Sequence, residues 1–195
     1  FTGDVITITY GERDESELQP IKSSECELTL LCTEDGNPYA ELYTLSPTRY
    51  KLTVTEDSGE QMNIRWQGYL ATGEYQQPVA APPYSVRIRA NDGLLVLKTI
   101  DYLNEGDRYN DTLSVSALID RLLSPISPTQ LANIWGYTHV AHEQQGSTFD
   151  IIGISDNSIY EVFADSIPTY YDVLVAVLEC FGIQLFQENG GWSVR

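Results

Sequence analysis

Apolar and polar positions alternate along most of the first ninety residues, the two-residue period of strands with one face buried and one wetted. Val5 to Tyr10 (VITITY) sets Ile6 and Ile8 on one face against Val5 and the threonines. Between Ile21 and Cys32, Cys26, Leu28, Leu30 and Cys32 fall opposite Glu25, Glu27 and Thr29. Ala40 to Leu45 is a weaker strand. Tyr50 to Thr55 (YKLTVT) is a clear one, and Glu56-Asp57-Ser58-Gly59 hands it back as a hairpin. Its return arm is Met62 to Leu70, where Met62, Ile64 and Trp66 alternate with Asn63, Arg65 and Gln67. Val86, Ile88 and Ala90 repeat the pattern against Ser85, Arg87 and Arg89. The loop before them, with Gly73, Pro78, Pro82 and Pro83, is longer than a hairpin needs and predicts a crossover. Strands spaced about ten residues apart predict a barrel or sandwich.

Beyond residue 92 the period changes. Asp92 can cap a short helix over Leu94 to Lys98, its carboxylate accepting the free amide hydrogens of the first turn. Thr99 to Asp111 is polar and turn-rich. Val115, Leu118, Ile119 and Leu122 then make one helical stripe, capped by Ser114 and ended before Pro125. Ser127-Pro128 opens a second short helix through Ile134, with Pro at the first helical position, where its missing N–H costs nothing. Gly136 to Phe163 reads as strand and loop (YTHVAHEQQ, TFDIIGIS, SIYEVFAD). The last unit is the clearest helix: Thr169 and Asp172 form a capping pair, Val173, Leu174, Val177, Leu178 and Phe181 the apolar face, and Gly182 the left-handed stop. IQLFQ and WSVR, joined by Glu188-Asn189-Gly190-Gly191, make a hairpin. The expected fold is α+β and mainly β. A barrel-like β domain covers 1–92, and a smaller α+β unit with two main helices and a C-terminal helix-hairpin covers 93–195.

Composition narrows the function classes. A chain of 195 residues with 42% hydrophobic and 11% aromatic content, thirteen of its residues tyrosine, can bury a real core and is not disordered. The net charge of −17, from 28 acids against 11 bases, argues against a phosphate-seeking surface, because counterion release from nucleic acid needs clustered Lys and Arg. No apolar run is long enough for a membrane span, and the N-terminus has neither a basic region nor an apolar signal core. Opening on FTGDV without an initiator Met and stopping at WSVR, the chain reads as a fragment of a longer polypeptide. Cys26 and Cys32 lie about 20 Å apart in one strand, too far to bond to each other, and with Cys180 they fit free thiols in a reducing cytoplasm.

No constellation of reacting groups stands out. His139 and His142 (H-V-A-H) would share a face of a helix, where two imidazoles could hold a metal. In a strand they would face opposite ways, and neither a third ligand nor the glutamate of H-E-x-x-H is in register, so two solvated histidines are preferred and no metal or cofactor is expected. Asp35, Asp57, Asp92 and Asp107 sit in turn or cap contexts that already explain them. Cys180 follows Glu179 and lacks a basic neighbour to make it a thiolate, which leaves core packing as its expected role. Tyr39, Tyr43, Tyr50, Trp66, Tyr69, Tyr75 and Tyr84 concentrate in the β half. Exposed, they would make a carbohydrate-binding module by stacking on sugars. Packed, they fill sheet faces and protein interfaces, the preferred reading. No catalytic residue is assigned.

Four segments together resemble a known family. They are IKSSECELTL (Ile21 to Leu30), WQGYL (Trp66 to Leu70), PPYSVRIRANDGL (Pro82 to Leu94) and TYYDVLVAVLECFGIQLFQENGGWSV (Thr169 to Val194). In this order they are similar to the N-terminal part of baseplate hub or tail-tip proteins of long-tailed phages and prophages, particularly those of Bacteroides-type hosts. The last segment resembles those proteins' helix ending in Phe-Gly before a strand pair closed by tryptophan. The resemblance implies a virion structural protein without enzymatic activity, made in the bacterial cytoplasm. It further implies a homo-oligomer, most simply a trimer, whose β half forms a ring contacting the tail tube or distal tail protein and distal spike or fibre components. It also gives the charge a meaning: a lumen lined with Asp and Glu repels passing DNA. The other reading of the charge, solubility of a large assembly protein, stays open beside it.

Overall fold

The computed structural model describes residues 5–11, 19–33, 39–43, 45–57, 59, 62–71, 73, 78, 80–126, 133–134 and 148–194, with the backbone alone at 133, 134, 148 and 150. In chain order the elements are β1 (Ile6–Tyr10), β2 (Ile21–Lys22), β3 (Ser24–Cys32), a 3-10 turn (Ala40–Leu42), β4 (Lys51–Asp57), β5 (Met62–Leu70), β6 (Tyr84–Asn91) and a second 3-10 segment (Leu94–Thr99). There follow β7 (Thr112–Ser114), α1 (Val115–Leu123), β8 (Asn133–Ile134), α2 (Thr148–Ile151), β9 (Gly153–Ser155), α3 (Asp156–Val162), α4 (Tyr170–Phe181), β10 (Leu185–Glu188) and β11 (Gly191–Val194). The fold is α+β and mainly β.

The first strands form an antiparallel five-stranded sheet in the order β1-β3-β6-β5-β4. Its alternation is the one legible in the residues, with Cys26, Cys32, Trp66, Leu70, Tyr84, Val86, Ile88 and Ala90 buried in one cluster. The sheet is open: it ends on β1 and β4, so the barrel closure expected for 1–92 is absent among the described residues. β5 meets β6 only through Tyr69↔Asn91 and Leu70↔Ala90, and a bulge between Val54 and Thr55, with Arg65 the extra residue on β5, interrupts the β4–β5 ladder. The bulge also corrects the expected alternation of Met62, Ile64 and Trp66: Trp66 pairs with Val54 but Ile64 with Thr55 and Met62 with Asp57, so Met62 and Ile64 lie on the face opposite Trp66, and Met62 is 73% exposed. β5 and β6 are antiparallel neighbours, so the expected crossover between them is instead a return within the sheet. The segment expected as a weak strand at Ala40 to Leu45 forms the first 3-10 turn.

A second cluster of buried side chains gathers on α1 and α4. Ser114 Oγ accepts the Ala117 N–H (3.2 Å) at the start of α1, as its sequence predicts. Thr169 and Asp172 exchange both hydrogen bonds of a capping box, and Gly182 at φ 62° ends α4 in the left-handed conformation. Val173, Leu174, Val177 and Leu178 are buried. At about 1.5–3 kcal/mol for each large side chain fully removed from water, such stripes supply most of the drive to pack these helices. Asn189 (φ 49°) and Gly190 (φ 72°) make the tight turn of the β10–β11 hairpin, both in the region that favours Asn-Gly.

The stretch expected as strand and loop before α4 differs. Phe149 sits in α2, and SIYEVFAD lies largely in α3, because Asp156, Ile159 and Tyr160 at i, i+3 and i+4 bury on one helical face. The expected helix over Ser127 to Ile134 lies mostly outside the described residues; its last two residues, Asn133 and Ile134, form β8 and pair parallel with β11. β2 pairs parallel with β10, so the four-stranded sheet β2-β10-β11-β8 joins the N-terminal part of the chain to its C-terminal hairpin.

Candidate functional site

Three places combine polar groups with restricted access to water. The first is a buried carboxylate, Asp156, 1% exposed at the first turn of α3. Its Oδ1 accepts the Tyr102 hydroxyl (2.7 Å), and its Oδ2 accepts the Asp111 N–H (2.9 Å) and the Arg121 guanidinium (3.0 Å). Arg121 reaches on to Asp111 (2.7 Å), and its guanidinium lies over the Tyr109 ring at 4.3 Å. The Tyr109 and Tyr170 hydroxyls share a hydrogen bond of 2.8 Å, and Tyr160 donates to the Tyr102 carbonyl at 2.6 Å. Burial, then the bond to Asp156, pushes the Tyr102 phenol well above its ordinary range; burial and the Tyr109 bond do the same for Tyr170. Burial opposes the charge of Arg121, but its bonds to Tyr102 and Asp156 outweigh that and raise its pKa. Both Asp156 oxygens are thus occupied by this chain. The arrangement ties α1, α3 and the 101–111 segment together, and leaves the carboxylate no oxygen free to act as a base.

The second place is the junction at Asp92. Its Oδ2 accepts the Ser24 N–H (2.6 Å) and Ser24 hydroxyl (3.3 Å), and its Oδ1 accepts the Leu94 N–H (3.2 Å), an amide of the first turn as expected, although the capping position of the 3-10 segment is Gly93 and Asp92 stands one residue before it. Trp66 Nε1 donates to Ser24 Oγ (3.0 Å), which brings β3, β5 and β6 to one point. Burial raises the Asp92 pKa, the Ser24 and Leu94 bonds lower it, Glu25 raises it, and the net direction is upward. Beside it, Gln187 Nε2 donates to the Gln67 carbonyl (2.7 Å) while its Oε1 accepts the Gln67 N–H (3.1 Å), a two-bond clasp between β10 and β5. A side chain at Gly68 would run into the Asn91 carbonyl and the Trp66 indole, so glycine is required there for space rather than for its dihedrals.

The third is a cleft of about 550 Å³ beside β1, lined by Ile8, Tyr10, Lys22, Arg65, Phe186 and Glu188 among others. Lys22 Nζ lies 5.9 Å from the Tyr10 ring centroid, and Arg65 is paired with Glu56 and bonded to Asn189. Burial and then Glu188 raise the Tyr10 pKa.

Other residues singled out from the sequence fall as follows. Asp57 accepts the Gly59 N–H (2.8 Å), a turn role, and Asp107 closes a turn with Asn104; Asp35 lies outside the described residues. His139 and His142 also lie outside them, and among the described residues no group of three His, Cys, Asp or Glu could hold a metal ion. Cys26 and Cys32 are buried and form no disulfide with each other. Cys180 is exposed, which corrects its expected core role: it lies off the buried stripe of α4, on the rim of an apolar groove between α3 and α4. Of the seven β-half aromatics, Trp66 and Tyr84 are buried, Tyr39, Tyr50 and Tyr69 half-buried, and Tyr43 exposed; Tyr75 lies outside the described residues. A sugar-stacking platform needs several exposed rings together, and these six do not provide one. No described helix is long and apolar enough to cross a membrane. The Asp156 network went unseen in the sequence because its segment reads as a strand; the signal that could have found it is the helical spacing of Asp156, Ile159 and Tyr160.

No protein-family model matches this chain, and no curated protein does. Among solved structures, the 43 kDa tail protein of prophage MuSo2 from Shewanella oneidensis is similar with a TM-score of 0.47 and 15% sequence identity, over 97% of this chain and 49% of that one. The chain thus spans about half the length of that structure.

Proposed function

We propose that this chain is a structural component of a phage or prophage tail, part of a tail tip or baseplate hub, that links the tail tube to distal parts through its shape and its association with copies of itself. One observation carries the reading. The four segments that resemble tail-tip proteins are tied together: Ser24 accepts a hydrogen bond from Trp66 and donates to Asp92, β2 pairs with β10, and Gln187 clasps Gln67. Segments spread over the whole chain thus come together where its two buried clusters adjoin. The polar clusters support the same view, since their side chains spend their hydrogen bonds on holding elements together. In this reading the virion is where the protein works, and its partners are its own copies, the tube or distal tail protein, and spike or fibre components.

The test is location. A short epitope inserted in the exposed turn at Gly59 of the intact protein, followed by immunogold electron microscopy of purified particles, should place label at the distal end of the tail. Label on the capsid, or particles that contain none of the protein, would overturn the reading.

A further inference from the structure

We propose that β1 is an edge built to receive a second copy of this chain, pairing antiparallel with that copy's own β1 about Ile8 so that two five-stranded sheets join. The hydrogen-bond register shows which way the edge faces. The Thr29 N–H donates to the Val5 carbonyl (2.9 Å) and the Gly11 N–H to the Ser23 carbonyl (2.8 Å), so the odd-numbered residues of this strand turn towards β3. Ile6, Ile8 and Tyr10 therefore direct their N–H and C=O groups outward, and among the described residues no strand pairs with that side. The side chains of the same three residues share one face, where Ile6 is 44% and Tyr10 39% exposed.

The two edges of the sheet are treated differently. β4 carries Lys51, Glu56 and Asp57, charges of the kind by which proteins blunt an edge against pairing, and its pairing with β5 is interrupted at Val54/Thr55. β1 carries no charge and no bulge, although the chain holds 28 acids and 11 bases. The strand also complements itself. Antiparallel pairing about Ile8 sets Ile6 against Tyr10 of the second copy, Ile8 against its counterpart, and Thr7 against Thr9, matches of the kind that stabilise neighbouring strands. Two chains at −17 each repel, and an uncharged strand is a surface through which they can meet without opposing like charges at the contact. The proposal stands on this geometry and not on the tail reading, so either can fail without the other.

Sedimentation velocity on the intact protein tests it, with Ile6→Pro and Thr53→Pro as paired variants. Proline at 6 deletes an outward N–H while leaving the β1–β3 ladder intact, and Thr53 is the equivalent outward position on β4, since the Leu70 N–H donates to the Tyr50 carbonyl. The expected result is a dimer that tightens as salt rises and self-repulsion is screened, weakened at least about tenfold by Ile6→Pro and unchanged by Thr53→Pro. Hydrogen exchange gives a second readout if Ile6→Pro fails to fold: the Ile8 and Tyr10 amides should be protected when concentrated and exchange freely on dilution. A monomer at every concentration, an oligomer indifferent to Ile6→Pro, or Ile8 and Tyr10 amides that exchange freely in the oligomer would each overturn it.

Discussion

Removing the Asp156 carboxylate by Asp156→Ala strips three hydrogen bonds at once, and the structure sets how much that costs. The Arg121 side chain is 17% exposed, so its guanidinium would be left mostly buried with its inner partner gone, together with the Tyr102 hydroxyl and the Asp111 N–H. Breaking a buried pair in this way costs about 3–5 kcal/mol, and the residual exposure of Arg121 places this site at the lower end, about 3 kcal/mol. Asp111→Ala deletes the other carboxylate on Arg121, but that side chain is 60% exposed, so water replaces it at a cost of no more than about 1 kcal/mol. Urea unfolding followed by circular dichroism reads both as shifts of midpoint at constant slope. Adding Arg121→Met to Asp156→Ala removes the stranded charge and should return at least about 1 kcal/mol, because an apolar replacement for a buried pair is often close to neutral. Equal losses for Asp156→Ala and Asp111→Ala, or no recovery in the double variant, would refute the view that desolvation and not the count of ion pairs sets the energy here.

Three further outcomes follow from the geometry. Gly68→Ala should cost about 1–3 kcal/mol by the same unfolding assay, because its Cβ meets the Asn91 carbonyl, which the sheet holds in place. Asp92 has a folded pKa raised above its ordinary 3.8, so the folded state binds the proton more tightly and stability from this group falls as pH rises from 3.8 through the folded value. Asp92→Asn, compared with the unaltered chain in unfolding titrations, should therefore look progressively better as pH rises from 4 to 7, and a difference constant across that range would contradict the burial of the charge. In a thiol-reagent assay on folded protein, Cys180 should react quickly while Cys26 and Cys32 wait for unfolding, so one of three thiols titrates first.

What could be read from the residues, and what could not, divides along physical lines. α1, α4 and the β10–β11 hairpin were legible because caps, stripe and turn residues all agree locally, and each of these signals acts within a few residues. α3 was not: its few apolar positions, Ile159, Tyr160 and Val162, do not separate a helix from a strand, and the group that fixes its start is Asp156, whose partners Tyr102, Asp111 and Arg121 are distant in sequence. The alternation of Met62, Ile64 and Trp66 breaks at the bulge residue Arg65, which no local pattern announces, and whether a face is covered depends on the neighbour: β5 pairs with β6 only at its last two residues. Pattern specifies which face is apolar, whereas coverage is a tertiary fact. The same limit explains Cys180, which at i+3 from Val177 falls on the rim of the α4 stripe and whose exposure follows only from how α3 lies beside it. For the candidate sites, the bond of Asp92 to the first turn of the 3-10 segment was legible and its contact with Trp66 through Ser24 was not, since residues 24, 66 and 92 share no local pattern.

The charge ties these features together. Of 28 acids, Asp92 and Asp156 are the two buried among the described residues, each with hydrogen-bond donors on both oxygens; the remaining described acids are wholly or partly in water. Most of the described acids therefore stay on the surface of a chain with a net charge of −17, and self-repulsion opposes both compaction and association. Added salt should then raise stability and self-association together, whereas a chain held by surface ion pairs would lose stability. The two effects separate in the Ile6→Pro variant, which should keep the first and lose the second. If instead salt weakens the oligomer, the contact between copies runs through opposite charges, such as Lys22 and Arg65 against the acidic end of β4, and the uncharged edge of β1 is not where copies meet.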